Sequence, residues 1–382
     1  MNKYITLILI LLSSVICFQA IAQQTSEEVF YERGSSHHDN NELSKAVDYY
    51  TASLRQNPNN TKTLFNRGLV YFQQRKYHKS INDFNQLLAL EPADGESYEH
   101  RARAKLMIND YEGAAADYTS AVHFNPHSSL LYLNRGTAHS FLGNSMEAIA
   151  DFEKAKEIDP RNPDIYITQA DILTSNGDYG NAIRLYNETI AVDPTNEEAY
   201  NNRAILYFKL GKYDVALRDY NKAISLNPNT DSFTNRAFYW LEIGEYDKAL
   251  QDCKNALTIN QNNLDAYICM GLVKLNQQSH EEAIKFLDYA IERGSSSGLA
   301  YNGRGEALLE KGYPEYAIDD FTRAIQVEEK ANHYFNRGTA NMKVNLLAAA
   351  IQDFEKTIEL DSNYREAKAN IKQCKKYQKE NK

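Results

Sequence analysis

Small and large apolar side chains return along this chain with a period of 34 residues, and the positions between them are largely polar. Counted from residues 27, 61, 95, 129, 163, 197, 230, 264, 298 and 331, ten units run to Tyr364, those starting at 197 and 298 being one residue short. Slot 8 of each unit is small throughout: Gly34, Gly68, Ala102, Gly136, Ala170, Ala204, Ala237, Gly271, Gly305 and Gly338. Glycine inside a helix costs about 1 kcal/mol relative to alanine, so its recurrence calls for two helices that approach closely there. Slot 20 is small again, reading Ala46, Ser80, Ala114, Ala148, Ala182, Ala216, Ala249, Ala283, Ala317 and Ala350. Slot 24 is mostly large: Tyr50, Phe84, Tyr118, Phe152, Tyr186, Tyr220, Cys253, Leu287, Phe321 and Phe354. At i, i+4 spacing the two slots share one helical face and give it a dent beside a bump.

Gly143-Asn144, Gly177-Asp178, Gly211-Lys212 and Gly244-Glu245 punctuate the middle of their units, where glycine can end a first helix in the left-handed conformation. Pro58, Pro92, Pro126, Pro160, Pro194 and Pro228, each 34 residues from the next, close the second helix. Each unit therefore reads as a helix, a tight turn and an antiparallel helix. One such hairpin cannot hide both of its apolar faces, whereas stacked neighbours bury a continuous core. The run Tyr200-Asn201-Asn202-Arg203-Ala204-Ile205-Leu206-Tyr207, followed by Ala216, Tyr220, Ala223 and Pro228, resembles the tetratricopeptide repeat. The resemblance covers 27–364. It implies an all-α fold, a right-handed α-α superhelix of ten helical hairpins whose inner wall is formed by the first helices. Residues 365–382, with Lys368, Lys372, Lys375, Lys376 and Lys379, lack the pattern and are expected to form a polar C-terminal capping helix.

Composition sharpens this picture at the N-terminus. Lys3, a mostly apolar run from Tyr4 to Phe18 and Ala20-Ile21-Ala22 before Gln23 read as a cleaved signal peptide, 1–22, with 23–26 a short lead-in. A lipoprotein signal centred on Cys17 is the rival reading, and Ile16 stands where that signal needs a small residue. The mature chain is thus expected to be exported, periplasmic or secreted, with outer-membrane association an option, and it has no further span-length apolar run. Removing Lys3 from the 42 basic residues leaves 41 against 51 acidic ones, a net charge of −10 that disfavours nucleic acid and anionic lipid as nonspecific partners. Cys253, Cys269 and Cys374 are odd in number and irregularly spaced, which is no disulfide framework. Cys253 falls at an aromatic slot and reads as a small buried hydrophobe.

Charge also follows the period. Slot 7 is Arg33, Arg67, Arg101, Arg135, Arg203, Arg236, Arg304 and Arg337; slot 23 is Asp83, Asp117, Asp151, Asp219, Asp252, Asp320 and Asp353. The fifth unit loses both (Gln169, Leu185), the eighth loses both (Met270, Phe286), and only the first is unmatched, with Arg33 opposite Tyr49. This co-variation along one chain predicts an ion pair inside each hairpin; solvated surface charges are the alternative.

In the resembling family, slots 2, 5, 6, 9, 12 and 13 line the inner wall. Slot 6 here holds Asn66, Asn134, Asn202, Asn235 and Asn336, similar to the asparagine ladder of the O-linked N-acetylglucosamine transferases, but broken by Glu32, His100, Thr168, Cys269 and Gly303. Amides can grip an extended peptide backbone, or can simply suit a polar wall. Phe65, Phe72, Phe141, Phe208, Phe238 and Phe335 join them as apolar anchors for a ligand or for self-association, as do Leu69, Leu106, Ile205, Leu241, Leu272 and Leu275. No fifth slot holds Lys and no ninth slot holds Asn, so the two-carboxylate clamp of the chaperone-binding members is not expected.

Catalytic signals are weak. Gly294-Ser295-Ser296-Ser297-Gly298 spells a hydrolase elbow, but between two helices it reads as a flexible connector and a hinge near 293–298. His37-His38-Asp39 point in different directions on a helix, and the His280 run lacks the second His of a zinc protease. The resulting expectation is a scaffold or adaptor of the bacterial cell envelope, with no enzyme activity, no cofactor and no metal, that binds a protein or peptide partner. A self-assembling module that dimerises by terminal stacking, or an accessory subunit of an envelope enzyme, is the alternative.

Overall fold

The computed structural model describes residues 26–380; the signal segment, Cys17 and residues 23–25 lie outside them. The described residues are helices joined by short turns, and they divide into two compact units between Val192 and Asp193. The first unit stacks five hairpins. They are α1 (26–39) with α2 (Leu43–Gln56), α3 (Thr61–Gln73) with α4 (Tyr77–Leu90), α5 (Gly95–Leu106) with α6 (Tyr111–Phe124), α7 (Ser129–Phe141) with α8 (Ser145–Ile158), and α9 (Pro163–Ser175) with α10 (Tyr179–Val192). The second unit stacks five more. They are α11 (Glu197–Lys209) with α12 (Tyr213–Leu226), α13 (Thr230–Glu242) with α14 (Tyr246–Ile259), α15 (Leu264–Asn276) with α16 (His280–Glu292), α17 (Gly298–Glu310) with α18 (Pro314–Val327), and α19 (Ala331–Lys343) with α20 (Leu347–Leu360). A last helix, α21 (Arg365–Glu380), lies on α20 with Ala367 and Cys374 fully buried against it.

Slot 8 is small because slot 24 lies on top of it. A methyl group on Gly34 would stand 2.6 Å from the Tyr50 ring, one on Gly305 2.7 Å from Phe321, and one on Gly271 2.6 Å from Leu287. Slot 20 is buried beside that contact. Where it is Ser80 instead of alanine, the hydroxyl donates to the Gly68 carbonyl at 2.8 Å, so no polar atom is stranded.

The turn between the two helices is the same in all ten hairpins, although its sequence is not. Slot 15 has positive φ as Gly143, Gly177, Gly211, Gly244 and Gly312, and equally as Asn41, Arg75, Asn109, Gln278 and Asn345. The amide that follows bonds back to the last turn of the first helix, as Lys76 N–H does to the Tyr71 carbonyl at 2.8 Å and Ser279 N–H to Lys274 at 2.9 Å. Asparagine caps then start several first helices: Asn60, Asn196, Asn229 and Asn263 each accept a hydrogen bond from an amide three residues on.

The junction expected to act as a hinge is a closed turn. Gly294 at φ +92° places its amide on the Ile291 carbonyl and the Ser295 amide on Ala290. The helix that follows, α17, buries seven residues, among them Gly298, Ala300 and Leu309. The division of the chain falls at 192–193, after the fifth hairpin.

Candidate functional site

All seven Arg–Asp pairs form within their hairpins. The geometry repeats: Nε meets one carboxylate oxygen and Nη2 the other, at 2.8 and 2.7 Å for Arg67–Asp83 and for Arg135–Asp151. The same bidentate contact joins Arg101–Asp117, Arg203–Asp219, Arg236–Asp252, Arg304–Asp320 and Arg337–Asp353. The carboxylates are buried, between 1% and 6% exposed, whereas the guanidinium groups reach the surface. The hydrogen bonds it donates to Asp151 hold the Arg135 guanidinium above its usual range.

In five of the pairs the third nitrogen of the guanidinium reaches back to slot 25 of the preceding hairpin, a contact the sequence reading missed. Nη1 of Arg101 donates to Asn85 at 2.8 Å, that of Arg236 to Asn221 at 2.5 Å and that of Arg304 to Asp288 at 2.7 Å, while those of Arg67 and Arg337 reach the hydroxyls of Thr51 and Thr322. Ahead of Met270, where no arginine needs an acceptor, slot 25 is Lys254.

This stapling fixes the faces of the first helices, where the candidate binding residues sit. The asparagine row is real but partly turned on itself. Asn66 donates to Tyr31 Oη (3.2 Å), Asn235 to Asn201 Oδ1 (3.2 Å), and Asn336 to Asn302 Oδ1 (3.1 Å) and Glu306 Oε1 (2.8 Å). Each is a bond from slot 6 to the polar slot 5 of the preceding hairpin, or to slot 9 beside it. Asn201 also donates to Asn202, and Asn134 is half-buried on α7. Burial pushes the Glu306 carboxyl up despite its two amide donors.

The apolar residues separate into two sets. Phe65, Phe238 and Phe335, all half-buried, also pack within the stack. Phe65 lies against Phe84 and His100, Phe238 against the core on both sides, and Phe335 against Phe354 and Tyr364. Leu106, Ile205, Leu241 and Leu272 also border buried clusters. Slots 5, 9 and 12 sit on the margin between inner wall and helix interface, so the apolar character of those slots reports stacking as much as binding. Phe72, edge-to-face with Tyr77 and with Arg103 over its face, and Phe208, beside Tyr213 and Tyr239, are half-buried. Phe141 is 59% exposed and stacked on Tyr111. His100, which interrupts the row, is wedged flat against Phe84, and burial pulls its imidazole down to about 4.

The chemical motifs have ordinary partners. His37 faces Glu42 and His38 faces Gln73, so the two rings diverge, and Ser297 is the residue before α17 rather than part of a strand elbow. No cluster of His, Cys, Asp and Glu among the described residues could hold a metal, and none of the described helices is long and apolar enough to cross a membrane. Cys253 and Cys269, distant in sequence, are both buried in one cluster, and the hydrogen bond to Cys253, with burial, pushes the Cys269 thiol up.

Profiles described as tetratricopeptide repeat or TPR repeat match residues 27–60, 65–129, 130–162, 170–211, 197–230 and 270–331. The chain belongs to the tetratricopeptide repeat family. Serine/threonine-protein phosphatase 5 of Rattus norvegicus is 34% identical over 100 residues, 26% of this chain and 20% of the phosphatase; that of Homo sapiens is 33% identical over the same length. This tetratricopeptide repeat chain thus spans about a fifth of the length of those curated relatives. Among solved structures, a tetratricopeptide repeat protein from Parabacteroides merdae is 25% identical with a TM-score of 0.54, over 65% of this chain and 99% of that one. The APC/C hetero-tetramer Cut9-Hcn1 is similar in fold, at 15% identity and a TM-score of 0.53 over 94% of this chain and 93% of that one. The family is one of protein–protein interaction scaffolds, and the all-α repeat fold here is of that kind.

Proposed function

We propose that this tetratricopeptide repeat protein is a non-catalytic adaptor of the bacterial cell envelope that grips a peptide or protein segment on the first-helix faces of its units. The observation that carries the reading is the pairing, on those faces, of accessible aromatic rings with amides held in place by neighbouring hairpins. Phe141 and Phe72 offer apolar contact, and Asn235, anchored by one N–H to Asn201, keeps a second donor and an acceptor for a backbone. Prior anchoring lowers the entropy lost when a partner binds. The N-terminal signal pattern supports export to the periplasm or beyond.

Affinity capture from native envelopes tests this. Phe141→Ala and Asn134→Ala touch little of the core and are expected to reduce recovery of the partner with the melting temperature unchanged. Phe238 and Phe335 are unsuitable probes, since truncating them opens the stack. Unchanged recovery with both surface variants would overturn the inner-face reading, and a mass that rises with concentration would favour self-assembly.

A further inference from the structure

Where neighbouring hairpins of the second unit meet on the side of the second helices, a cleft recurs in one register. Between α16 and α17–α18 its floor is the ion pair itself, Arg304 and Asp320, with Asp288 beside them. Between α14 and α15–α16 the pair is absent. There the slots of the pair carry Met270 and Phe286; with Leu250 beside them, all half-buried, they give the cleft of about 310 Å³ an apolar floor. Its rim is basic. Lys254 and Lys285 are exposed and make no ion pair among the described residues, and Lys274 is held at 2.7 Å by Glu282. Three lysines against one glutamate is the reverse of the balance of the whole chain, which has 42 basic and 51 acidic residues.

The replacement is coherent. An arginine at 270 would aim its third nitrogen at Lys254, a cation instead of an acceptor; an aspartate at 286 would need that arginine. Losing guanidinium, carboxylate and acceptor together removes three polar groups from a half-buried site without stranding any of them. What is left is an apolar seat of side-chain size under a ring of cations. Methionine on its floor adapts to varied shapes.

We propose that this cleft docks an acidic segment of a partner protein, with one apolar side chain seated on Leu250, Met270 and Phe286 and flanking carboxylates on Lys254, Lys274 and Lys285. Charge complementarity selects the occupant. The corresponding cleft of the first unit, between α8 and α9–α10, also lacks the pair and has Ile149, Ile172 and Leu185 on its floor, but its charges are already matched, Lys156 with Glu153 and Arg184 with Glu188. It provides an internal control that should show no preference for acidic ligands. The proposed site lies away from the first-helix faces and stands whether or not those faces bind a peptide.

Two synthetic amphipathic peptides with the same Leu/Phe face, one carrying glutamates and the other lysines, test it by fluorescence anisotropy on the full chain. The glutamate peptide is expected to bind and to weaken as salt rises. Lys254→Glu/Lys285→Glu, a surface change, should weaken it by roughly tenfold or more. The triple variant Lys254→Asn/Met270→Arg/Phe286→Asp installs the set that Asn221, Arg236 and Asp252 already form one hairpin earlier. It should fold and fill the seat, abolishing binding, while Asn134→Ala and Phe141→Ala leave it unchanged. Equal binding of the two peptides, no binding of either, or full binding by the Lys254→Glu/Lys285→Glu protein would overturn the proposal. So would sedimentation showing that a second copy fills the cleft, or anionic vesicles binding there in place of the peptide.

Discussion

In each of the seven pairs the aspartate is more deeply buried than the arginine that satisfies it, so the two partners are not equivalent. Removing Arg135 strands the Asp151 carboxylate beside the slot 8 contact, where little of it reaches water. That single loss should cost about 3 kcal/mol, and removing both partners should cost distinctly less. A double-mutant cycle of Arg135→Gln and Asp151→Asn by urea unfolding measures the difference; additive losses would mean that the pair is solvated. His100 makes a second prediction at this scale. Its imidazole is held neutral in the folded chain down to about pH 4, while in the unfolded chain it protonates near 6.5. The folded state therefore has the full benefit above pH 6.5 and loses it as pH falls towards 4, by at most about 3 kcal/mol. The stability of His100→Asn, followed by urea melts between pH 7 and 4, should fall less steeply than that of the parent. Parallel profiles would remove the role of burial. The Arg and Asp slots were legible because two residue types recur together and vanish together. The slot 25 acceptor was not, because Asn, Thr and Asp serve equally and no residue type repeats.

At the scale of the helical hairpin, the left-handed residue of slot 15 shows where reading by residue type stops. Glycine announced four of these turns, yet Arg75 and Gln278 adopt the same conformation, at φ 58° and 59°. The amide bonded back to the first helix, and the packing of slots 8 and 24 beyond the turn, impose it whatever the residue. For a side chain with a Cβ that conformation costs of order 1–2 kcal/mol. Arg75→Gly and Gln278→Gly should therefore each stabilise their hairpin, by about 1 kcal/mol once the greater freedom of glycine in the unfolded chain is subtracted. Denaturant midpoints that do not rise would contradict this. The same packing bears on the phenylalanines: on a helix turning 3.6 residues at a time, the edge of a groove is also the edge of a contact, and a hydrophobic slot alone does not say which use prevails.

The second unit is closed by its last helix. α21 is lysine-rich on its solvent side yet buries Ala367 and Cys374 on α20, so a sequence that looked merely solvating also completes the core. The number of hairpins and their internal pairing were readable from periodicity because every hairpin solves the same packing problem. The division at 192–193 was not, because the period runs through it unbroken.

The backward reach of the guanidinium groups of Arg67, Arg101, Arg236, Arg304 and Arg337 gives the stacking within each unit a direction. A hairpin offers a plug on its leading side and a socket on its trailing side, and the fit belongs to the junction, not to either neighbour. Hairpins copied from one place to another, by gene duplication or by an engineer, would splice well only behind a matching socket. Seated after Lys254, an arginine-bearing hairpin would set cation against cation, so interchange of these superficially equal modules is restricted at that seam.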